Sequence, residues 1–409
     1  MKTIRIMLES RNLSGVEISE RKKSIVLSGR VKSWPDKITA GYTAAGWGYK
    51  GVVNDIEVEN IPADVMPLPR IKDSKLEGKH FNAVIIGGGI VGTAIARELT
   101  HYDITIALLE KEEDVAVHSS SRNDGMVHPG FAPKPGTKKA FYNIRGHRAY
   151  TQICKDLDLA FHRCGSLILF RTPYTKMFLP FLIKRARKNS VNGFEYLDRE
   201  KVFLKEPYIT PWQHGAFFLP SAGIISPQKT TVAFAENAVE NGAEVYLNTA
   251  VSGFKLEHNH ITAITTNRGN VKTDVVINAA GAWSDTIAEF AQDRFFSIHP
   301  RKGVEAVLDR KTGKYQATIA AMPSLAQIKS KTKGGGLVPT VEGNLLIGPT
   351  AEEIPYREDY STEEKDIDKL MQHLALNTRL KRSDIITYFA GIRACTYEED
   401  FIVEASESV

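Results

Sequence analysis

Residues 84–92, VIIGGGIVG, constrain this chain more than any other stretch. An apolar strand runs into Gly87, Gly89 and Gly92, spaced G-x-G-x-x-G, and a helical pattern follows as far as Leu99. A second apolar run, TIALLE at 105–110, ends in Glu110, 18 positions after Gly92. Strand, glycine turn, helix, strand and terminal acid together make the layout of a dinucleotide site. Gly87 permits the tight turn. Gly89 lets the backbone approach a pyrophosphate at the helix N-terminus, and Gly92 lets the helix lie close on the strand. Glu110 is placed to accept hydrogen bonds from ribose hydroxyls. Strand–helix–strand order predicts a parallel sheet and an α/β unit.

Composition narrows the rest. The chain has 409 residues, enough for two or three domains at roughly 150 residues each. With 42% hydrophobic and 25% charged residues, wholesale disorder and fibrous architectures are excluded. Net charge is +5, and residues 1–75 carry 13 Lys/Arg against 9 acids. That excess is too diffuse for a nucleic-acid partner. The three cysteines, Cys154, Cys164 and Cys395, include no C-x-x-C pair. No metal site, iron–sulfur cluster or disulfide framework is predicted, and the thiols read as reduced in a cytoplasmic protein. The N-terminus has no signal-peptide pattern, and no uncharged apolar run is long enough to span a bilayer.

Along the chain, residues 1–70 read as a small separate module in the order helix, strand, strand, helix, strand, with strands at 15–20, 24–31 and 52–58. The proline-bearing stretch 61–79 reads as a boundary, with 71–80 as the linker proper. Beyond it, 81–150 and 225–295 make up the nucleotide unit. Residues 151–224 and 296–390 make up an inserted, antiparallel substrate domain, and 391–409 return to the nucleotide unit.

SIVLSGRVKSWPDKITAGYTAAGWGYKGVVNDIEV, at 24–58, resembles the BON domain family. That resemblance implies an αββαβ module for docking, either to a partner subunit or peripherally at the inner face of a membrane. The segment after Glu110, KEEDVAVHSSSRNDGMVHPGFAPKPGTKKA, resembles the flavin-contacting segment of the D-amino-acid-oxidase-like FAD superfamily. VVINAAGAWS at 275–284 matches that superfamily's turn near the FAD pyrophosphate. The branch most similar contains glycerol-3-phosphate dehydrogenases and L-2-hydroxyglutarate oxidases. Its carriers are RCGSLIL (163–169), PSAGIISPQKTTVAFAENAVENGAEV (220–245), PRKG (300–303), GGGLVPTVEGNLLIGPTAEEI (334–354) and FAGIRA (389–394).

The resemblance implies a Rossmann-like FAD domain with an antiparallel substrate domain inserted. It implies FAD held by Gly87, Gly89, Gly92, Glu110, Ser120, Ser121, Arg122, Asn123, Val251, Ala280, Gly281 and Gly391. Arg393 matches the arginine that clamps a substrate carboxylate or phosphate, work suited to a bidentate donor. His128 is the candidate proton acceptor or flavin-edge contact. Lys302, His299 and Lys333 are weaker anion-binding candidates, each read as a solvated surface charge. The implied reaction is oxidation of a small anionic secondary alcohol, glycerol 3-phosphate first. L-2-hydroxyglutarate and amino acids are the same-class rivals. Electrons leave to oxygen, a quinone or a partner protein.

The sequence departs from the family at Asp124, Pro129 and Ala394. It also ends at Val409, where the family continues for about 30 more residues that contain a glycine-rich turn and a closing helix. The expectation drawn from that is either a truncated, non-catalytic chain with a docking module or a partner chain that supplies the missing segment.

Overall fold

A computed structural model of the chain describes residues 1–323 and 335–409. Lys333 therefore lies outside the described residues. Among the described residues, no helix is long and apolar enough to cross a membrane.

The nucleotide unit is built on a six-stranded sheet. Its order is Glu244–Tyr246, Ile106–Leu109, His80–Ile86, Gly269–Asn278, His260–Thr266, Val251–Glu257. The first four strands are parallel, and the last two fold back as an antiparallel meander. Val84 to Ile86 and Ile106 to Leu109 are buried, as strands covered on both faces must be. The helices Ile90–Leu99 and Pro227–Glu240 cover one face side by side, joined by an Arg97 Nε to Asn237 Oδ1 bond of 3.0 Å.

The second unit carries a nine-stranded sheet with its own apolar core of Leu167, Leu169, Val304, Ala306, Leu337 and Ile347. It is antiparallel apart from one pair, Ile319–Ala321 alongside Ser166–Leu169, which is parallel. Its longest pairing joins His299–Leu308 to Ile385–Cys395.

The N-terminal module runs helix Lys2–Glu9, strands Val16–Arg21 and Ser24–Val31, helix Trp34–Ala44, then short strands Val52–Asn54 and Glu57–Val58 parallel to the second strand. Ser33 caps the second helix by accepting from Asp36 N, and a proline sits in its first turn, the arrangement that favours a helix start.

The module's core is completed from the far end of the chain. Tyr397 is 2% exposed and packs among Ile25, Leu27, Ile38 and Val52. Gly41 lies in the middle of the helix, where glycine costs stability. A Cβ there would stand 2.2 Å from the Tyr397 ring. Asn54 Nδ2 donates to the Tyr397 hydroxyl at 2.8 Å. This corrects the reading of 391–409 as a return to the nucleotide unit. Its start completes the large-sheet strand Ile385–Cys395 and only touches the nucleotide unit's loop: Ser119 Oγ donates to Ile392 O, and Gly391 abuts the Arg122 carbonyl. From Tyr397 onward the chain fills and borders the module, with Lys50 paired to Glu404 at 2.8 Å.

Candidate active site

Two of the motif glycines, Gly87 and Gly92, have backbone contacts that require them. Gly87 has φ +111°, and a Cβ there would lie 2.4 Å from Ala279 O. At Gly92 a Cβ would lie 1.9 Å from Gly87 O. At Gly89 it would meet Ser120 Oγ at 3.0 Å. Gly281 has φ +56° and nothing within 4 Å of its Cβ position, so it faces open space.

Between these glycines lies an open cleft. Gly87, Gly89, Glu110, Ser120, Val251, Ala280 and Gly281 all line it. Glu110 is 8% exposed. One carboxylate oxygen accepts from Gly88 N at 2.6 Å and the other from Glu112 N at 2.9 Å, so the acid also braces the glycine turn. Ser120 Oγ accepts from Ile90 N at 2.9 Å, at the very start of the helix. A helix N-terminus at the cleft, glycines that allow close approach and an acid at the second strand's end fit the pyrophosphate and ribose of a dinucleotide.

Ser121, Arg122, Asn123 and Gly391 do not line the cleft; they shape the loop that does. Ser121 Oγ donates back to His118 O, and Arg122 Nε to Val117 O. Asn123 Nδ2 donates to the Ser119 and Ser120 carbonyls, and its Oδ1 accepts from Gly125 N. Gly391 leaves room for the Arg122 carbonyl, 2.0 Å from where its Cβ would stand.

Sequence reasoning missed a wall of the cleft supplied by residues 357–360. Glu358 Oε1 accepts from Trp283 Nε1 at 2.8 Å and pairs with Lys111 Nζ at 2.8 Å. Lys111 also pairs with Glu112, whose Oε1 lies 2.8 Å from His118 Nε2. The other His118 nitrogen bonds the Tyr360 hydroxyl, and the Arg122 guanidinium lies 4.3 Å over the Tyr360 ring. Ligand atoms of Glu112, His118 and Glu358 lie within 4.8 Å of one another. The Lys111 ammonium bonds two of these acids and supplies the positive charge there. Arg357 anchors the wall through Asp285 Oδ2 at 2.9 Å and stacks 4.6 Å over Trp283. The one available signal was Trp283, inside the matched 275–284 block.

A second cluster lies where the Rossmann loop meets the large sheet. Arg393 is exposed, and Nη1 donates to Thr350 O at 3.4 Å. Its guanidinium lies over Gly303, where a Cβ would stand 2.9 Å from both Nη atoms. Glu305, two residues on, is 4% exposed, and its Oε2 has no hydrogen-bond partner. Burial raises its pKa well above the carboxylate range; Asp124 adds to this and Arg393 opposes it. His128, half-buried, follows the strand Met126–Val127.

His299 and Lys302 are not surface charges. Both are 2% exposed. His299 Nδ1 lies 2.7 Å from Glu353 and its ring stacks on Tyr397 at 4.6 Å, while Lys302 pairs with Asp359 at 3.1 Å. Both are therefore interior residues rather than solvated charges, although His299 Nε2 itself has no hydrogen-bond partner.

The FAD dependent oxidoreductase family model, DAO, matches residues 82–408. A glycerol 3-phosphate dehydrogenase of Caloramator mitchellensis is 35% identical over 326 residues, 79% of this chain and 67% of that one. An L-2-hydroxyglutarate dehydrogenase of Escherichia coli is 29% identical over 289 residues, 68% of this chain and 66% of that one. Among solved structures, the FAD-bound, dithionite-reduced L-α-glycerophosphate oxidase of Mycoplasma pneumoniae aligns with a TM-score of 0.74 at 24% identity. That match covers 81% of this chain and 87% of that one.

Proposed function

This chain belongs to the FAD dependent oxidoreductase family, and on that premise we propose that it oxidises a small anionic secondary alcohol, glycerol 3-phosphate first. The observation that carries the reading is Arg393. It is an exposed guanidinium given space by Gly303, on the strand whose Gly391 and Ile392 touch the loop at Ser119 and Arg122. A planar bidentate donor suits a phosphate or carboxylate. Gly87, Gly89 and Glu110 would hold the adenosine and pyrophosphate part of FAD, with Ser120, Val251, Ala280 and Gly281 around it and Gly92 seating the helix on the strand. Ser121, Arg122, Asn123 and Gly391 serve the cofactor indirectly, by fixing the loop.

FAD bound in the cleft would supply the hydride acceptor for the carbon bearing the hydroxyl. The chain's own work is to hold the anion at Arg393 and take the hydroxyl proton at the His128 imidazole. An acceptor (oxygen, a quinone or a partner protein) then removes the electrons. The N-terminal module is a BON-like docking unit in this reading.

The relationship to L-2-hydroxyglutarate dehydrogenases supports a second substrate, because a carboxylate presents the same bidentate target. Anaerobic bleaching of the bound flavin separates the two. Glycerol 3-phosphate is expected to bleach it faster at equal concentration. If neither substrate bleaches it, the proposal fails.

A further inference from the structure

Residues 171–188 form a surface element that the cofactor and substrate readings leave unused. A 3₁₀ turn, Pro173–Phe178, runs into the helix Leu179–Lys188. The helix buries one face: Leu182, Ile183 and Ala186 pack against Phe170, Val191 and Phe217. The turn and the first part of the helix carry uncovered apolar side chains. Tyr174 is 76% exposed, Met177 77%, Phe178 50% and Phe181 59%. Single exposed apolar side chains need no explanation, but four large ones within eight residues mark a contact surface.

The charge around them has one sign. Residues 171–188 contain Arg171, Lys176, Lys184, Arg185, Arg187 and Lys188 and no Asp or Glu. Lys184, Arg187 and Lys188 are exposed on the helix itself. Aromatic and Met side chains that project outward, flanked by cations, are the make-up of a helix that lies in a bilayer interface. The apolar groups enter the acyl boundary, and the cations meet anionic headgroups. A protein partner would have to match four protruding side chains in shape, whereas acyl chains impose no such demand.

We propose that the 173–188 face docks on an anionic phospholipid bilayer. The same helix holds the loop that follows His128. Arg185 Nε donates to Phe131 O at 3.1 Å, and Asn189 Nδ2 to Gly130 O at 2.8 Å and Pro133 O at 2.9 Å. Docking here sets the membrane beside residues 130–133. The docking itself does not rest on the substrate assignment.

Vesicle flotation of the full chain tests it. The protein is expected to float with equimolar phosphatidylglycerol–phosphatidylcholine vesicles and not with phosphatidylcholine alone. Raising salt from about 0.1 M to about 0.5 M is expected to weaken the binding. Replacing Lys184 and Lys188 by Gln is expected to weaken it about 25-fold, at about fivefold per cation. F178S with F181S is expected to weaken it at least tenfold at unchanged charge, from roughly 25 cal/mol per Å² of apolar surface withdrawn. A Phe181→Trp variant is expected to blue-shift on anionic vesicles and to be quenched by brominated acyl chains. Thermal melts and FAD uptake report whether each variant folds. Three outcomes would overturn the proposal: no flotation of the parent chain on anionic vesicles, flotation unchanged by both double variants, or a dimer that F178S/F181S dissolves.

Discussion

Gly92→Ala tests the nucleotide turn most directly, because its consequence is set by one distance. The new methyl would stand 1.9 Å from the Gly87 carbonyl oxygen, and 3.0 Å is the shortest approach real Cβ atoms make. The helix Ile90–Leu99 must therefore retreat from the strand by about 1.1 Å, or the turn must open by as much. Neither is free, since Ile85 Cγ2 is also only 3.3 Å from the same point. Overpacking of this kind costs about 1–3 kcal/mol of stability. The larger effect falls on the cofactor. Moving the helix N-terminus by that distance loosens the charge-assisted bonds it offers a pyrophosphate, worth about 1.5–3 kcal/mol each. Losing one to two of them weakens FAD binding by about a hundredfold. Titration of the apoprotein with FAD, followed by flavin fluorescence quenching, reads that number, while a melting curve reads the packing cost. A Gly92→Ala protein that melts with the parent and binds FAD within threefold of it would refute the argument.

Three further outcomes follow from named contacts. Arg393→Ala is expected to lower kcat/KM for glycerol 3-phosphate by about a hundredfold, with Arg393→Lys in between. FAD content should not change, and an unaltered KM in steady-state assays would remove Arg393 from the site. Tyr397→Ala is expected to cost about 3–5 kcal/mol, the usual range for emptying a buried aromatic position. Calorimetry reads this loss, and limited proteolysis should show early cleavage within 61–79 as the module loosens. Stability is also expected to fall as pH drops from about 6.5 to about 4 because of His373, whose pKa burial lowers to about 4. Between those values the unfolded chain holds a proton that the folded chain does not, so the contribution is complete above 6.5 and lost going down. The loss is of order 3 kcal/mol, and His373→Gln should flatten that part of the stability–pH curve.

The nucleotide site was legible because its determinants are local. Three glycines and one acid within 24 residues specify the turn, the helix start and the acid that braces them, and Gly87 and Gly92 each have a clash to explain them. The wall built by Trp283, Glu358, Lys111, His118 and Tyr360 was not legible. Its members come together from positions up to 249 residues apart, and no periodicity encodes that meeting. His299 and Lys302 misled for a related reason. The strand His299–Leu308 opens with His-Pro-Arg-Lys yet is buried along almost its whole length. Polar composition points to surface; partners elsewhere in the chain, Glu353, Glu399 and Asp359, let these residues be buried instead.

That strand also explains why the chain end belongs with the N-terminal module. Its alternate residues His299, Arg301, Gly303 and Glu305 lie on one face. At one end His299 stacks on Tyr397, and Arg301 bonds Glu353, Glu399 and the Tyr42 hydroxyl. Burial opposes ionisation of Glu399, yet the bonds from Arg301 and Tyr42 hold its pKa below the usual value. So the module is fastened by a charged network whose members are all committed to one another. At the other end Gly303 makes room for Arg393, and Glu305 lies beneath it. Arg301 and Arg393 are direct partners across the two strands. The guanidinium assigned to the substrate and the one that fastens the module thus share a single strand pairing. The position of Arg393 therefore depends on how the N-terminal module and Tyr397 seat against the large sheet.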